Sequence, residues 1–201
     1  MKRSFQIDMP KVETFNRDFV VAQATEVFHD KGYNATSMQD LVDATGLNRS
    51  SIYNSFGCKL HLYLDCLKAY QYKYQKKNSN VLLDAKNAIE AIELLFNMYL
   101  EEMISDSNDR GCLITNCKSE MANHDDKITS FLNRDQKNTL DFLEDLVSRG
   151  QNQGDINTNK IASEYALYLF SSLQGFRMTG ILVQDKDHLK GIIKTILQIL
   201  I

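Results

Sequence analysis

The chain is poor in proline, and this scarcity limits the folds that it can adopt. Its 201 residues contain one proline, Pro10, so everything from Lys11 to Ile201 is free of it. Proline inside a helix removes a hydrogen bond and clashes with the preceding turn, so its absence suits long uninterrupted helices. The sequence also lacks runs in which β-branched and polar residues alternate, the pattern of a half-buried strand. We therefore predict an all-α fold.

The sequence has no set of residues typical of a metal centre or an active site. Its four cysteines form no Cys-x-x-Cys pair and its four histidines show no ligand spacing, so neither zinc nor another cofactor is expected. The acidic pairs Glu101-Glu102 and Asp125-Asp126 are adjacent, which on a helix turns their carboxylates about 100° apart. No glycine-rich loop could cradle a phosphate. An enzyme is disfavoured, and the cysteines are expected to be the reduced thiols of a cytoplasmic protein.

Long apolar runs and excess positive charge are missing as well. No segment approaches the roughly 20 apolar residues of a membrane span, and no apolar core of a secretory signal follows Lys2 and Arg3. No membrane association is therefore expected. The formal net charge is −3, and seven cations balance seven anions in residues 1–60. Composition alone does not indicate nucleic acid, and DNA binding would require that cations cluster on one face.

Hydrophobic periodicity predicts a first helix over residues 12–31. Phe15, Phe19 and Phe28 belong to one apolar stripe with helical spacing. Gly32 is expected to end this helix, because glycine readily takes the left-handed conformation found at helix C-termini. The stripe predicts that this helix packs one face against a small core.

Two short helices joined by a tight turn are predicted within residues 36–54. Thr36 is expected to cap the first, with Gln39 completing a capping box three residues later. Gly46 breaks the pattern, and Asn48 is expected to cap the second helix. Such a helix-turn-helix can place the second helix in the major groove of double-stranded DNA, which is about 12 Å wide. The core of this region is assigned to Val27, Phe28, Leu41, Val42, Ile52 and Phe56.

Longer helices separated by polar breaks are predicted for the rest of the chain. The last two, over about 158–183 and 187–200, are apolar around more of their circumference than a surface helix needs. In the final helix Leu189, Ile193 and Leu197 contribute to this excess. We therefore expect the region of about 158–200 to pair with a second copy in a two-fold homodimer. The preceding helices are predicted over about 59–77, 85–105, 112–122 and 126–149.

The predicted helix-turn-helix region resembles the opening of the TetR family of bacterial regulators. Residues 28–42 read FHDKGYNATSMQDLV, and residues 46–59 contain Tyr53-x-x-Phe56 followed by Lys59. Further along, residues 110–116 are similar to a Gly-Cys-Leu-x-x-Asn pattern of one branch of the family. The resemblance is specific over about residues 15–65 and weaker beyond them.

The resemblance implies an N-terminal three-helix DNA-binding domain, here residues 1–58, and a larger helical effector-binding and dimerisation domain, residues 59–201. It implies a transcriptional regulator, most often a repressor, that binds a palindromic operator as a homodimer and is released by a small molecule. Departures from the family at Cys58 and at Leu60-His61 weaken only the phosphate contact expected near Lys59. An alternative stays open: an interaction module that has kept the helix-turn-helix without ligand control.

Short polar side chains and cations around the two short helices are the expected DNA contacts, because phosphates need donors and base edges need polar groups. Arg49 is expected to read guanine or to hold a phosphate. Asn48 would read a base or merely cap its helix, and Tyr53 would bury its ring beside Phe56 while its hydroxyl faces phosphate. The full set is Thr36, Ser37, Asn48, Arg49, Ser50, Ser51, Tyr53, Asn54 and Lys59.

The effector pocket is expected among large side chains of the C-terminal helices, although aromatic residues at helical spacing are also typical of an ordinary core. A mostly apolar cavity would suit a small hydrophobic or aromatic effector. Cys58 is hypothesised to be an oxidisable switch, because a nearby helix N-terminus and Lys59 would stabilise its thiolate. The candidate pocket residues are Tyr99, Met103, Phe131, Tyr165, Phe170, Gln174 and Met178.

Overall fold

The computed structural model describes residues 15–106, 108, 110–122 and 124–201, and helices are the regular structure found within them. The all-α prediction is confirmed. Residues 12–14, where the first helix was expected to begin, lie outside the described residues. The helices are α1 (Arg17–Ala35), α2 (Met38–Thr45), α3 (Arg49–Phe56), α4 (Lys59–Leu83), α5 (Ala88–Ser105), α6 (Leu113–Met121), α7 (Asp126–Gln153), α8 (Ala162–Thr179) and α9 (Lys186–Gln198).

The connection from α1 to α2 differs from the prediction in its capping residue. Gly32 has the expected left-handed conformation, with a φ of 75°, but it kinks α1, which continues to Ala35. Ser37 rather than Thr36 caps α2: its hydroxyl accepts from the backbone N–H of Asp40 at 3.1 Å. The prediction was one residue early because Thr-x-x-Gln and Ser-x-x-Asp overlap here and both fit a capping box. The Thr36 hydroxyl is buried and donates to the carbonyl of Gly32 at 2.6 Å.

The turn and the cap of α3 agree with the sequence. Gly46 ends α2 with a left-handed φ of 70°. The side-chain oxygen of Asn48 accepts from the backbone N–H of Ser51 at 2.8 Å, which satisfies one of the free donors at the start of α3. The capping role predicted for Asn48 is therefore confirmed in the free protein.

The end predicted for α7 at about residue 149, just before Gly150, is wrong. The helix continues to Gln153 and ends at Gly154, whose φ of 82° is left-handed. Gly150 lies buried inside the helix, where an added Cβ would come within 2.7 Å of Ala88 Cβ and of Ile156 Cδ1. This glycine serves close packing rather than termination. Sequence alone cannot separate the two uses, because both require the absence of a side chain.

Two hydrophobic clusters hold the described helices together. The first joins α1, α2 and α3 to the beginning of α4, to α6 and to the start of α7. Four predicted core residues, Phe28, Leu41, Ile52 and Phe56, are buried in it, and Val27 and Val42 pack against it partly buried. The second joins α5, the later part of α7, α8 and α9. Because α4 and α6 contribute to the first cluster, the core around the helix-turn-helix extends beyond residue 58. The domain boundary at residue 58 remains a prediction.

The apolar residues of α9 are covered within the chain, which corrects the reasoning that led to the dimer. Leu189, Ile193 and Leu197 are buried in the cluster that contains α5. On α8, by contrast, Leu167 is 57% exposed and Met178 is 46% exposed. Among the described residues, no helix is both long and apolar enough to cross a membrane.

Candidate functional site

The exposed face of α3 carries most of the predicted DNA contacts. Asn48, Arg49 and Ser50 are exposed in its first turn, and Tyr53 and Asn54 are exposed one turn later. The opposite face is fixed, since the side chains of α3 that point inward are buried in the first cluster. The chain has no acidic residue between positions 43 and 65. Phosphates approaching this face therefore meet polar groups and Arg49 without a neighbouring carboxylate in the same segment.

The ring of Tyr53 does not pack into the core, contrary to the prediction. Its residue is 47% exposed, and the ring beside Phe56 is that of Phe15, with the ring centres 6.5 Å apart. The pattern Tyr-x-x-Phe suggested one face, but residues three apart on an eight-residue helix straddle the edge of a small core. Tyr53 thus lies on the exposed face of α3, with about half of its surface open.

The remaining predicted contacts lie around the start of α2. Ser37 is exposed at its N-cap, and Ser51 is partly buried on α3. Lys59 reaches back from α4: its ammonium donates to the carbonyl of Thr36 at 2.5 Å and lies 4.4 Å from the centre of the Tyr33 ring. Burial lowers the pKa of Lys59. Thr36 and Lys59 thus brace the helix-turn-helix in the free protein, and the contacts of Lys59 within the described residues use one of its three ammonium donors in a hydrogen bond.

A carboxylate on α6 fastens the connection between α1 and α2. Glu120 accepts from the backbone N–H groups of Tyr33 at 2.8 Å and Asn34 at 2.6 Å. It lies against Gly32, where a Cβ would come within 2.9 Å of its Oε2 atom. The left-handed glycine therefore lets two successive N–H groups converge on one carboxylate, as in a backbone anion nest. The position of α2, and of α3 packed against it, is tied to α6.

A second group of contacts joins α1 to the segment that precedes α6. The guanidinium of Arg110 pairs with Glu26 at 2.6 Å and with Asp106 at 3.1 Å. His29 Nε2 lies 3.0 Å from the carbonyl oxygen of Gly111. Burial lowers the pKa of His29, so the neutral ring is favoured there. Both ends of α6 are thus held against α1.

Two cavities open beside α6. The larger, about 480 Å³, lies between α1, α4 and α5 and contains Tyr99 and Met103 of the predicted set. The other, about 390 Å³, lies between α4, α5, α7 and α8 and contains Tyr99 and Gln174. We call it the cavity between α7 and α8. Apolar surface makes up more than half of the lining of both, as expected, but charged, hydroxyl and amide groups are more numerous than the few polar groups that we expected. The cavities share a wall made of Tyr70, Tyr74, Tyr99 and Arg177.

The other four predicted pocket residues line neither cavity. Phe131 is buried in the first cluster, and Tyr165 is buried in the second, where its hydroxyl donates to Asn157. Phe170 is buried with the ammonium of Lys118 5.0 Å from its ring centre, and Met178 is exposed. The hydrophobic periodicity of a helix shows which residues share a face. It does not show whether that face borders a cavity, a solid core or the surface, so these four residues could not be sorted from the sequence.

Sequence reasoning missed two residues that line the cavity between α7 and α8, Arg177 and Cys112. The Arg177 guanidinium donates to Cys112 Sγ at 3.1 Å. Burial acts to raise the pKa of the Cys112 thiol, but Arg177 and hydrogen bonds from Thr115 and Ile114 outweigh it and lower that pKa. The Gly-Cys-Leu-x-x-Asn pattern at residues 110–116 was the sequence signal that could have pointed to Cys112. Cys58 occupies the N-cap of α4 without a side-chain capping bond, and its oxidation stays a hypothesis.

An exposed polar recognition helix, braced by two others and joined to a larger helical part with cavities, defines a helix-turn-helix DNA-binding regulator. Residues 20–66 match the model of "Bacterial regulatory proteins, tetR family". Residues 88–196, more than half of the chain, match "Tetracyclin repressor-like, C-terminal domain". The chain belongs to the TetR family. It is a DNA-binding transcriptional regulator and not an enzyme.

Individual relatives support the same assignment over nearly the whole length. The chain is 29% identical to the uncharacterized HTH-type transcriptional regulator YezE of Bacillus subtilis, covering 96% of this chain and 100% of the relative. It is 27% identical to the HTH-type transcriptional repressor ComR of Escherichia coli, covering 85% and 81%. Its fold matches a cysteine mutant of the TetR family regulator CifR, solved with 26-bp double-strand operator DNA, with a TM-score of 0.84, 21% identity, and coverage of 96% and 100%.

Two substitutions at Asn48 separate its structural role from the electrostatics of the α3 face. Asn48→Ala should lower the free energy of unfolding by about 1 kcal/mol, because it removes the helix cap. Asn48→Asp should keep the cap and the melting temperature but weaken binding to every DNA sequence, because it adds a negative charge on this face. Thermal melting and DNA titration measure the two effects. Asn133→Asp, the same change on the exposed surface of α7, is the control. Unchanged DNA affinity in Asn48→Asp would show that α3 does not face DNA.

Proposed function

We propose that this regulator is a ligand-controlled repressor, which binds a palindromic operator as a homodimer and leaves it when a small molecule occupies a cavity of the C-terminal domain. The observation that carries the proposal is the position of α6. Its first turn contributes Ile114 and Thr115 to the cavity between α7 and α8, and its last turn places Glu120 on the α1–α2 connection. One nine-residue helix therefore touches both the cavity and the helix-turn-helix.

A displacement of α6 would be transmitted to DNA binding through these contacts. A ligand that favours one position of α6 also favours one position of the Tyr33 and Asn34 N–H groups, which Glu120 holds. In a two-fold dimer the two α3 helices must enter consecutive major grooves, about 34–36 Å apart. The ligand and the operator would then bind different conformations of the dimer, so that binding of one would weaken binding of the other. The repressor name of the ComR relative and the operator complex of CifR support this direction.

The exposed face of α8 is the surface that we propose for the dimer. Leu167, Ser171, Gly175 and Met178 follow one another on it at helical spacing, and all four are exposed. Small residues between two larger apolar ones let a second helix approach closely. Exposed apolar side chains gathered in one part of a chain are typical of an interface. This face lies within the region of about 158–200 that we predicted to pair with a second copy. The residues now proposed for the contact are the exposed ones of α8 rather than the apolar residues of α9, which are buried within the chain.

Replacing Gly175 tests this surface without disturbing the fold. Apart from its own stretch of α8, no atom of the described residues lies within 4 Å of a Cβ placed there, and glycine is the poorest helix former after proline, so Gly175→Glu should leave the monomer folded. The introduced charge should convert the dimer to monomer in light scattering and abolish cooperative operator binding. Asn152→Glu, an exposed change on α7, is the control. A dimer that survives Gly175→Glu would place the interface elsewhere.

Arg49→Ala tests specific recognition by α3. We expect a loss of about 1–3 kcal/mol in operator affinity if Arg49 is bidentate to guanine, and a smaller loss on random DNA. The measurement is a gel shift at fixed salt with DNA from upstream of the gene, in competition with random DNA. Arg134→Ala removes an exposed cation from α7 as a control. Equal losses on both DNAs would assign Arg49 to a phosphate, and no preference of the wild type for any DNA would favour the interaction module.

Glu120→Ala tests whether α6 positions the helix-turn-helix. The amides of Tyr33 and Asn34 should lose protection from hydrogen exchange, and operator affinity should fall by about 1–2 kcal/mol because two charge-assisted bonds are lost. Ser119→Ala is the matched control, since the Ser119 hydroxyl donates within α6 to Thr115. Operator affinity that is unchanged in Glu120→Ala would show that α6 does not control the helix-turn-helix.

A further inference from the structure

A partly buried cation lies in the wall between the two cavities, and no carboxylate pairs with it among the described residues. Arg177 extends from α8, and its guanidinium carbon lies 3.9 Å from the ring centre of Tyr99 and 5.3 Å from that of Tyr74. Its hydrogen bond to Cys112 Sγ uses one of five N–H donors. No carboxylate of the described residues lies within salt-bridge distance of it, whereas Arg110 has three such partners. Guanidinium donors that face a cavity and lack a carboxylate partner can bind an anion that enters it.

The cavity between α7 and α8 is shaped for such an anion. Its lining contains one carboxylate, Asp135, which already accepts from Gln71 Nε2 at 2.9 Å and lies 4.0 Å from the ammonium of Lys118. Arg177 is thus the one cation in the described lining of this cavity, and the single carboxylate of that lining is already engaged by Gln71 and Lys118. Tyrosine rings and aliphatic side chains form flat and apolar walls, among them Tyr70, Tyr74, Tyr99, Leu95, Leu143 and Leu173.

We propose that Arg177 anchors an anionic effector, a small molecule with a carboxylate on a flat apolar body, in the cavity between α7 and α8. The inference rests on the proposed ligand control and names the chemical class of the ligand. A carboxylate matches the fork of a guanidinium with two parallel hydrogen bonds, which a neutral amide cannot reproduce with equal strength. The volume of about 390 Å³ is in the range of small-molecule sites.

The same guanidinium connects the anion to α6. Cys112 is the N-cap residue of α6, and its sulfur accepts a hydrogen bond from Arg177. A carboxylate bound to Arg177 would therefore compete with this sulfur for the guanidinium. An anion that draws Arg177 toward itself weakens the bond to Cys112 and the favourable effect of the guanidinium on a thiolate there. Ligand binding is thus expected to make the Cys112 thiol less acidic and to loosen the first turn of α6.

The experiment compares carboxylates with their neutral amides on the protein without DNA. Benzoate, phenylacetate and 2-naphthoate are each paired with the corresponding amide at millimolar concentration in thermal melting and calorimetric titration. At least one carboxylate should raise the melting temperature while its amide does not. Arg177→Gln should weaken that carboxylate about 10- to 100-fold, and Arg134→Gln, on the exposed surface of α7, should leave it unchanged. Amides that bind as well as the acids, carboxylate binding that survives in Arg177→Gln, or no carboxylate binding at all would each overturn the proposal.

A second measurement uses the wild-type chain and does not depend on the folding of a variant. The rate of alkylation of Cys112 by iodoacetamide is followed by peptide mass mapping, with the buried Cys66 as an internal reference. The carboxylate should slow alkylation of Cys112 several-fold while its amide does not, and equal rates would contradict the shared guanidinium. Operator release separates the two proposals. A carboxylate that binds through Arg177 but leaves the operator bound supports the anion site and refutes ligand control by it.

Discussion

The carboxylate of Glu120 on the backbone of Tyr33 and Asn34 is the interaction on which the rest of this regulator depends. It joins a helix of the C-terminal part to the connection that sets the position of α2 and α3. The geometry requires Gly32, because only a left-handed residue without a Cβ lets both N–H groups turn toward one carboxylate. Arg110 and His29 hold the other end of α6 to α1. The helix-turn-helix is therefore packed against the C-terminal part and does not stand apart from it as a separate unit.

The size of this interaction suits a switch. A hydrogen bond to a charged group contributes about 1.5–3 kcal/mol, and allosteric coupling free energies are typically about 1–3 kcal/mol. Under the proposed ligand control, loss or reorientation of one or two such bonds would be enough to move the equilibrium between DNA-binding and released forms. The first hydrophobic cluster, which includes both α1 and α6, would keep the elements packed during this change. A stronger tether would fix the helix-turn-helix, and a weaker one would not transmit the state of the cavity.

The features that could be predicted from the sequence are those governed by local rules. Asn48 as a cap and Gly46 as the break between the two short helices follow from backbone chemistry within a few residues, and both are found. The failures have a common origin in packing between distant segments. Gly150 is small because Ala88 and Ile156 lie against it, and the apolar face of α9 is large because it belongs to an intrachain core. Periodicity reports that a side chain is buried, but not which surface buries it.

Arg177 shows why the cavity was harder to predict than the helix-turn-helix. A cation in the last turn of a helix is ordinarily a solvated residue that complements the helix dipole, and Arg177 occupies such a position in α8. Only the approach of α4, α5 and Cys112 encloses it and turns an ordinary surface residue into the one cation of the cavity between α7 and α8 within the described part of the chain. Because Cys112 begins α6 and Glu120 ends it, the group that would select the ligand and the group that holds the helix-turn-helix act on opposite ends of one helix. Under the proposed ligand control, occupancy of the cavity and affinity for DNA would therefore both depend on where α6 lies.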